Sequence, residues 1–157
     1  MNLLLAIDDS YYSELALREI TSRPWPAAST VRVLSVAYFL GAPVPGLPTS
    51  VEPSPTTAMF EARTELLEST NQLVQRAAER LARDDLRVET LVREGDPGTE
   101  IIQEAETWPA DLIVVGSHGH QGLKRLLLGS VAHYVVNHAP CSVEIAKVRN
   151  ALEPDPS

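Results

Sequence analysis

Gly116, Gly119 and Gly129 stand at fixed intervals in the stretch VVGSHGHQGLKRLLLGSVAHYV, and Ser130 follows the last of them. Glycine can adopt backbone angles closed to other residues and lets a ligand approach the main chain closely. Ser130 precedes the helical pattern VAHYVV and reads as a natural N-cap. At a helix start several N–H groups lack intrahelical partners, and the dipole there favours an anion. Residues of these types can therefore hold a phosphate, with the Ser130 hydroxyl capping the helix or binding a phosphate oxygen. They can equally form a plain strand-to-helix connection, and the residue types alone leave both readings open. The stretch holds neither a G-x-G-x-x-G fingerprint nor a G-K-[ST] loop.

Two more groups carry chemistry. Asp8 and Asp9 follow the apolar run LLLAI and precede Ser10. They read as helix-start carboxylates rather than as a metal pair, because Asp is a common N-cap. His118 and His120 lie within the glycine stretch without a third ligand at a useful spacing, so they make a poor metal site. His118 remains a candidate contact to phosphate or ribose. Lys124 and Arg125 lie among leucines and read as the solvated face of a packed turn. His133 and His138 read as exposed, Cys141 as a small buried residue, and Trp25 and Trp108, each before a proline, as packing caps.

Elements must position these residues. LLLAI (Leu3–Ile7) and ADLIVVG are continuously apolar, as strands buried on both faces are. TVRVLSVAYF and CSVEIAKV read as further strands, and DLRVETLVREG alternates like a strand less fully covered. SELALREI, the stretch from Ala58 to about Arg83, GTEIIQEAET and GSVAHYVVNHA read as helices. In the long helix Leu66, Leu67, Leu73, Val74, Ala77, Ala78 and Leu81 mark the buried face. Strands alternate with helices throughout, which predicts an α/β fold with a parallel sheet covered on both faces. In such sheets ligands sit beyond the carboxyl ends of the strands, where the winding reverses. The two sharpest polar strand ends are Asp8 and the loop from Gly116.

The whole chain sets bounds. Its 157 residues suit one domain, taken as 1–149, with 150–157 as a disordered tail. Prolines 43, 45, 48, 53 and 55 make 41–57 a long loop. Its Pro45–Pro48 pair, a P-x-x-P match, is common in loops of this kind. A net charge of −8 argues against a general nucleic-acid binder but not against holding one nucleotide. A single cysteine allows no internal disulfide and fits a reducing compartment. No stretch has the length of a membrane span or the form of a signal peptide, so the expected location is cytoplasmic.

The spacing sharpens the site. Gly116-x-x-Gly119, nine residues, then Gly129-Ser130 resembles the ATP-binding signature of the universal stress protein family. LLLAIDDS resembles that family's opening strand and turn, and REGDPGTEII its Gly-Asp-Pro turn. ADLIVVGSHG and LLLGSVAHYVVNHAPCSVEIAK resemble its closing block. The resemblance implies a Rossmann-like fold (adenine nucleotide alpha hydrolase-like), with five parallel strands in the order 3-2-1-4-5. It implies an adenine nucleotide, ATP with or without Mg²⁺, across the ends of the first and fourth strands. Asp8 would bind the ribose or adenine side, Ala6 and Ile7 would line the base pocket, and Val36 would offer backbone groups to adenine. Val115, Gly116 and Gly119 would frame the ribose and α-phosphate. Gly129, Ser130 and Val131 would hold the outer phosphates.

The resemblance further implies a stress-resistance regulator, homodimeric through the last strand, Cys141 to Lys147, where Glu144 lies. A slow ATPase or adenylyl-transferring enzyme is the alternative, with Asp9 and His120 as the nearby groups for hydrolysis. An interaction module that has lost ATP is a third reading, opposed by the intact glycine signature. Two departures stand out. Asp9 replaces the family's usual glycine and adds a negative charge, and Ser142 replaces a frequent proline.

Overall fold

The computed structural model describes residues 1–39, 57–83, 85–119 and 128–148. Five strands form one parallel sheet: β1 (Asn2–Ala6), β2 (Ser29–Ala37), β3 (Leu86–Glu94), β4 (Leu112–Gly116) and β5 (Ser142–Ala146). Four helices connect them: α1 (Tyr11–Thr21), α2 (Thr57–Leu81), α3 (Pro97–Thr107) and α4 (Ser130–His138). The strand order is β3-β2-β1-β4-β5, so the winding reverses between β1 and β4. The expected α/β class and strand order are both present. The last strand is shorter than expected: it starts at Ser142, leaving Cys141 just before it and Lys147 just after.

Alternation along each strand builds the two layers. Leu3, Leu5, Val31, Val33 and Val114 pack under α1 and α2 with Ala16, Ile20, Val74 and Leu81. Leu4, Ala6, Leu34, Ile113 and Val115 pack on the other face with Ile101, Ala105, Ala132 and Val135 of α3 and α4. β1 and β4 supply residues to both clusters, which is why their sequences are apolar without interruption. β3 lies at one edge and is only partly covered, which gives its residues intermediate exposure along most of the strand.

The long helix buries Thr70, Val74, Ala77 and Leu81, while Leu66, Leu67, Leu73 and Ala78 are half-buried. Thr70 breaks the apolar stripe at no cost in unpaired groups, because its hydroxyl donates back to the Leu66 carbonyl at 2.7 Å.

Charge also holds α3 down. Glu104 faces the sheet, 3% exposed, and accepts from Arg32 at 2.5 Å and Arg93 at 2.7 Å. Arg32 also pairs with Glu89 and stacks its guanidinium 4.2 Å from the Trp108 ring centre. Trp108 is thus a packing cap at the end of α3. Trp25 plays the same part beside α1, donating its indole N–H to the Ile20 carbonyl at 2.9 Å. Cys141 is half-buried rather than buried, packed against the α3–α4 cluster. Burial, then the nearby Asp111 charge, pushes its thiol above the ordinary value.

Candidate functional site at the ends of β1 and β4

β1 and β4 pair in register, with Ala6 opposite Val115. Their carboxyl ends therefore deliver Asp8 and the glycine turn to the same edge of the sheet. Asp8 sits where β1 gives way to α1, and that junction is closed by its own side chains. Ser10 is the N-cap of α1, and its hydroxyl accepts from the Ser13 N–H at 3.3 Å. Ser13, 6% exposed, donates its hydroxyl to Asp8 Oδ1 at 2.6 Å and accepts the Asp8 N–H at 2.8 Å. The Ser10 N–H adds a second donor to Oδ1 at 3.1 Å. Asp9 is exposed.

A cleft of about 440 Å³ opens beside Asp8 and Asp9, between α1 and α2, with Leu73, Arg76 and Arg80 on its far wall. Arg80 forks onto Glu14 with two bonds of 2.6 Å, and these, offset in part by burial, hold the Glu14 carboxyl below the ordinary value.

The glycine turn is built by close approach, not by unusual angles. Among the described residues Gly95 is the glycine with positive φ, so the expected use of special backbone angles at Gly116 and Gly119 is not what is found. At Gly116 a Cβ would lie 2.7 Å from the Tyr12 carbonyl carbon, so this glycine lets α1 pack against β4. At Gly119 a Cβ would lie 2.7 Å from Asp8 Oδ2, which brings the turn directly against the carboxylate. At Gly129 it would lie 3.1 Å from His118 Cα and 3.2 Å from the Ser117 carbonyl oxygen, so the start of α4 rests on the 117–119 main chain. The Gly129 N–H donates to that Ser117 carbonyl at 2.8 Å and ties the two ends of the turn together.

Ser130 is not the N-cap. Gly129 holds that position, and among the described residues no side chain caps α4. Ser130 is the first residue of the helix and is exposed, while Val131 is half-buried against the α3–α4 cluster. The first intrahelical bond of α4 runs from the His133 N–H to the Gly129 carbonyl at 2.9 Å. The start of α4 thus keeps its dipole and, among the described residues, receives no side-chain cap, a chemistry suited to an anion.

The other expected residues fall into two groups. Ala6, Val36 and Val115 all belong to the α3–α4 side, whereas the Ile7 side chain belongs to the α1–α2 cluster. Ala6 and Ile7 therefore share the strand edge through their backbone and not through one side-chain pocket. The His118 ring leans on Tyr12, with centres 4.9 Å apart, and its Nδ1 lies 3.1 Å from the Ser117 hydroxyl. His118 Nε2 is enclosed, with no hydrogen-bond partner among the described residues. His133 and His138 are exposed on α4, as expected. The loop 41–56, His120, Gly122, Lys124, Arg125 and the tail 150–157 lie outside the described residues.

Three residues escaped the sequence reading. Ser13 lies at a D-x-S-x-x-S spacing (Asp8, Ser10, Ser13), a local signal for side chains that bond to nearby backbone. Ser117, 3% exposed, stands between Gly116 and His118 and extends the sheet by donating its N–H to the Ala146 carbonyl at 2.8 Å. Tyr12 has no local signal, because its contacts to Gly116 and His118 come from opposite parts of the chain. At the far edge, Glu144 of β5 pairs with Arg23, and among the described residues no group of three His, Cys, Asp or Glu gathers to hold a metal. No helix among them is long and apolar enough to cross a membrane.

Comparison with known proteins follows this geometry. The model of the Universal stress protein family matches residues 1–147. The universal stress protein YxiE of Bacillus subtilis is 31% identical over 145 residues, 92% of this chain and 97% of its own length. Against two further curated relatives the matched stretch spans 62% and 54% of their length. Among solved structures, the hypothetical protein MJ0577 superposes with a TM-score of 0.77 at 26% identity, covering 96% of this chain and 97% of its own. Its sequence is that of a universal stress protein of Methanocaldococcus jannaschii. A universal stress protein family protein from Arabidopsis thaliana with AMP bound shares the fold, with a TM-score of 0.59 at 20% identity over 96% of this chain and 93% of its own.

Proposed function

The chain belongs to the universal stress protein family, and on that premise we propose that it is an ATP-binding regulatory protein of stress resistance that acts as a cytoplasmic homodimer. The observation that carries this reading is the start of α4: a helix N-terminus set on Gly129, without a side-chain cap among the described residues, beside an exposed Ser130. Gly119 and Asp8 meet at the adjoining strand end, at the point where the winding reverses. The AMP held by the Arabidopsis relative supports an adenine nucleotide in a fold of this kind.

In this reading the α4 N–H groups and the Ser130 hydroxyl take the outer phosphates. The glycine turn lies against the ribose and α-phosphate, and Asp8 takes a hydroxyl on the sugar. The adenine rests near the ends of β1 and β2, by Ala6, Ile7 and Val36. The bound nucleotide supplies negative charge and a purine face, and the protein supplies donors fixed before binding. Dimerisation uses the outer edge of β5, which pairs with β4 on one side and ends the sheet on the other.

The direct test is thermal unfolding with and without ATP. ATP should raise the melting temperature of the parent, and Gly129→Asp should abolish that rise by capping α4 with its own carboxylate. Loss of the reading would follow from no ATP stabilisation in the parent, or from an equal one in a folded Gly129→Asp protein. Sedimentation equilibrium tests the dimer independently.

A further inference from the structure

We infer that a second copy of this chain docks on the free edge of β3 and on the flank of α2 beside it, in an antiparallel register centred on Leu91. This interface lies at the edge of the sheet opposite β5 and goes beyond the reading above.

β3 pairs with β2 and, among the described residues, with no strand on its other side. It is nine residues long, LRVETLVRE, and carries no proline. Such an edge is a template for another strand, and charge is the usual guard against that pairing. Here the charges alternate in sign. Arg87, Glu89, Leu91 and Arg93 share one face of the strand. Antiparallel self-pairing about Leu91 sets each Glu89 opposite the partner's Arg93. Both side chains have room for it, Glu89 being 37% and Arg93 46% exposed beside their own Arg32 and Glu104. Centring on Thr90 would set Arg87 against the partner's Arg93, and centring on Glu89 would set two carboxylates together. Charge therefore selects the register.

α2 supplies the second half of the surface. It runs antiparallel to β3, with Arg63 on Glu94 at 2.7 Å and Gln75 donating to the Thr90 hydroxyl at 3.1 Å. The flank that overhangs β3 carries, at helical spacing, Leu67, Asn71, Gln75, Ala78 and, just past the helix, Ala82. Phe60, 55% exposed, extends it toward the helix start. None of these is charged, whereas the next face outward holds Glu61, Glu68 and Glu79. Depletion of charge marks the core of a protein interface.

The spacing fits a second copy. A strand added beyond β3 lies about 4.8 Å away. Because α2 packs over both β2 and β3, the two copies of α2 then lie about 10 Å apart, the separation of packed helices. The axis through Leu91 passes between the contacts at Glu94 and Thr90, where Asn71 lies on the flank. Pairing about Asn71 sets Leu67 opposite the partner's Gln75 and the large Phe60 opposite the small Ala82.

The experiment is sedimentation equilibrium of the full chain over a range of concentrations, for the parent, Asn71→Arg and Ser69→Arg. Asn71 is exposed and arginine is the better helix former, so the melting temperature should hold. Asn71→Arg sets two guanidinium groups together at the axis and should halve the mass that the parent reaches. The fall is from a tetramer to a dimer if the β5 edge also pairs, and from a dimer to a monomer if it does not. Ser69→Arg, exposed on another face, should leave the mass unchanged.

Should Asn71→Arg lower the melting temperature, Asn71→Cys in a Cys141→Ser background serves instead. With oxidised glutathione it should form a reducible cross-link between copies that Ser69→Cys does not form. A dimeric parent whose mass Asn71→Arg leaves unchanged would assign pairing to β5 alone and overturn the inference. An equal loss in Ser69→Arg, or cross-linking that is absent or equal at the two cysteines, would overturn it too. A parent that stays monomeric would overturn this interface and the β5 dimer together, and leave the flank to a different protein.

Discussion

The starts of α1 and α4 lie at the ends of neighbouring strands and solve the same problem in opposite ways. α1 begins on Ser10, whose hydroxyl accepts the Ser13 N–H, and α3 likewise begins on Asp96, which accepts the Thr99 N–H at 2.9 Å. α4 begins on Gly129 with no side-chain cap among the described residues, and its first hydroxyl, Ser130, is exposed. A capped end has satisfied its donors within the chain and contributes stability. An uncapped end gives up that stability and keeps its donors for something else. The contrast separates the parts of the edge that hold the fold from the part open to a ligand.

The largest expected effect tests the frame shared by both ends. Glu104→Ala removes the buried acceptor that Arg32 and Arg93 share, leaving Arg32 its bonds to Glu89, and should cost about 3 kcal/mol, measured by urea unfolding. Its pH dependence has a definite sign. Burial pushes the Glu104 carboxyl up, but the bonds and charges of Arg93 and Arg32 outweigh it, so the carboxyl lies below its ordinary value. The stability it contributes is therefore fully present above the ordinary glutamate pKa of the unfolded chain, and is lost as pH falls through the lowered folded value. Glu104→Gln should flatten that part of the acid limb.

Next comes Gly116→Val. Its Cβ would meet the main chain of Tyr12, so the cost should fall on folding, about 1–3 kcal/mol or more, and not on binding alone. A Gly116 variant with unchanged stability and lost nucleotide binding would contradict this assignment.

The caps follow. Ser10→Ala and Asp96→Ala should each cost about 1 kcal/mol of unfolding free energy, and the pair should be nearly additive because the two caps share no partner. The smallest stability effect belongs to Ser130→Ala, within about 0.5 kcal/mol, since an exposed hydroxyl leaves no buried group behind. Its consequence should be seen in nucleotide affinity instead, weakened by about 2- to 10-fold. If Ser130→Ala proved as destabilising as Ser10→Ala, the two helix starts would not differ in kind.

Much of this was legible in the sequence for simple reasons. Runs such as LLLAI and LIVVG can only be satisfied by burial on two faces, and Asp8 and Gly116 mark where such runs stop. The role of each glycine was not legible. A glycine signals only that a side chain is unwelcome, and whether Tyr12, Asp8 or the 117–119 backbone excludes it depends on which segments meet. The cap of α4 lies one residue before Ser130, the position that propensity favours, for a related reason. A serine before a helical pattern is a good N-cap by propensity, but the bond from the Gly129 N–H to Ser117 places the glycine at the boundary and moves Ser130 into the helix.

The sequence by itself determined the order of elements, the apolar strands, the spacing of the glycines and the carboxylate at the first strand end. These are properties of local periodicity and residue chemistry, which survive without knowing what packs on what. Only the tertiary structure decided that β1 and β4 lie side by side, and that Ser13 holds Asp8 with one oxygen toward Gly119. It also decided that α4 begins on Gly129 and not on Ser130. The pairing of β1 with β4 and the meeting of Asp8 with Gly119 depend on contacts between segments over a hundred residues apart, whose geometry no local pattern carries.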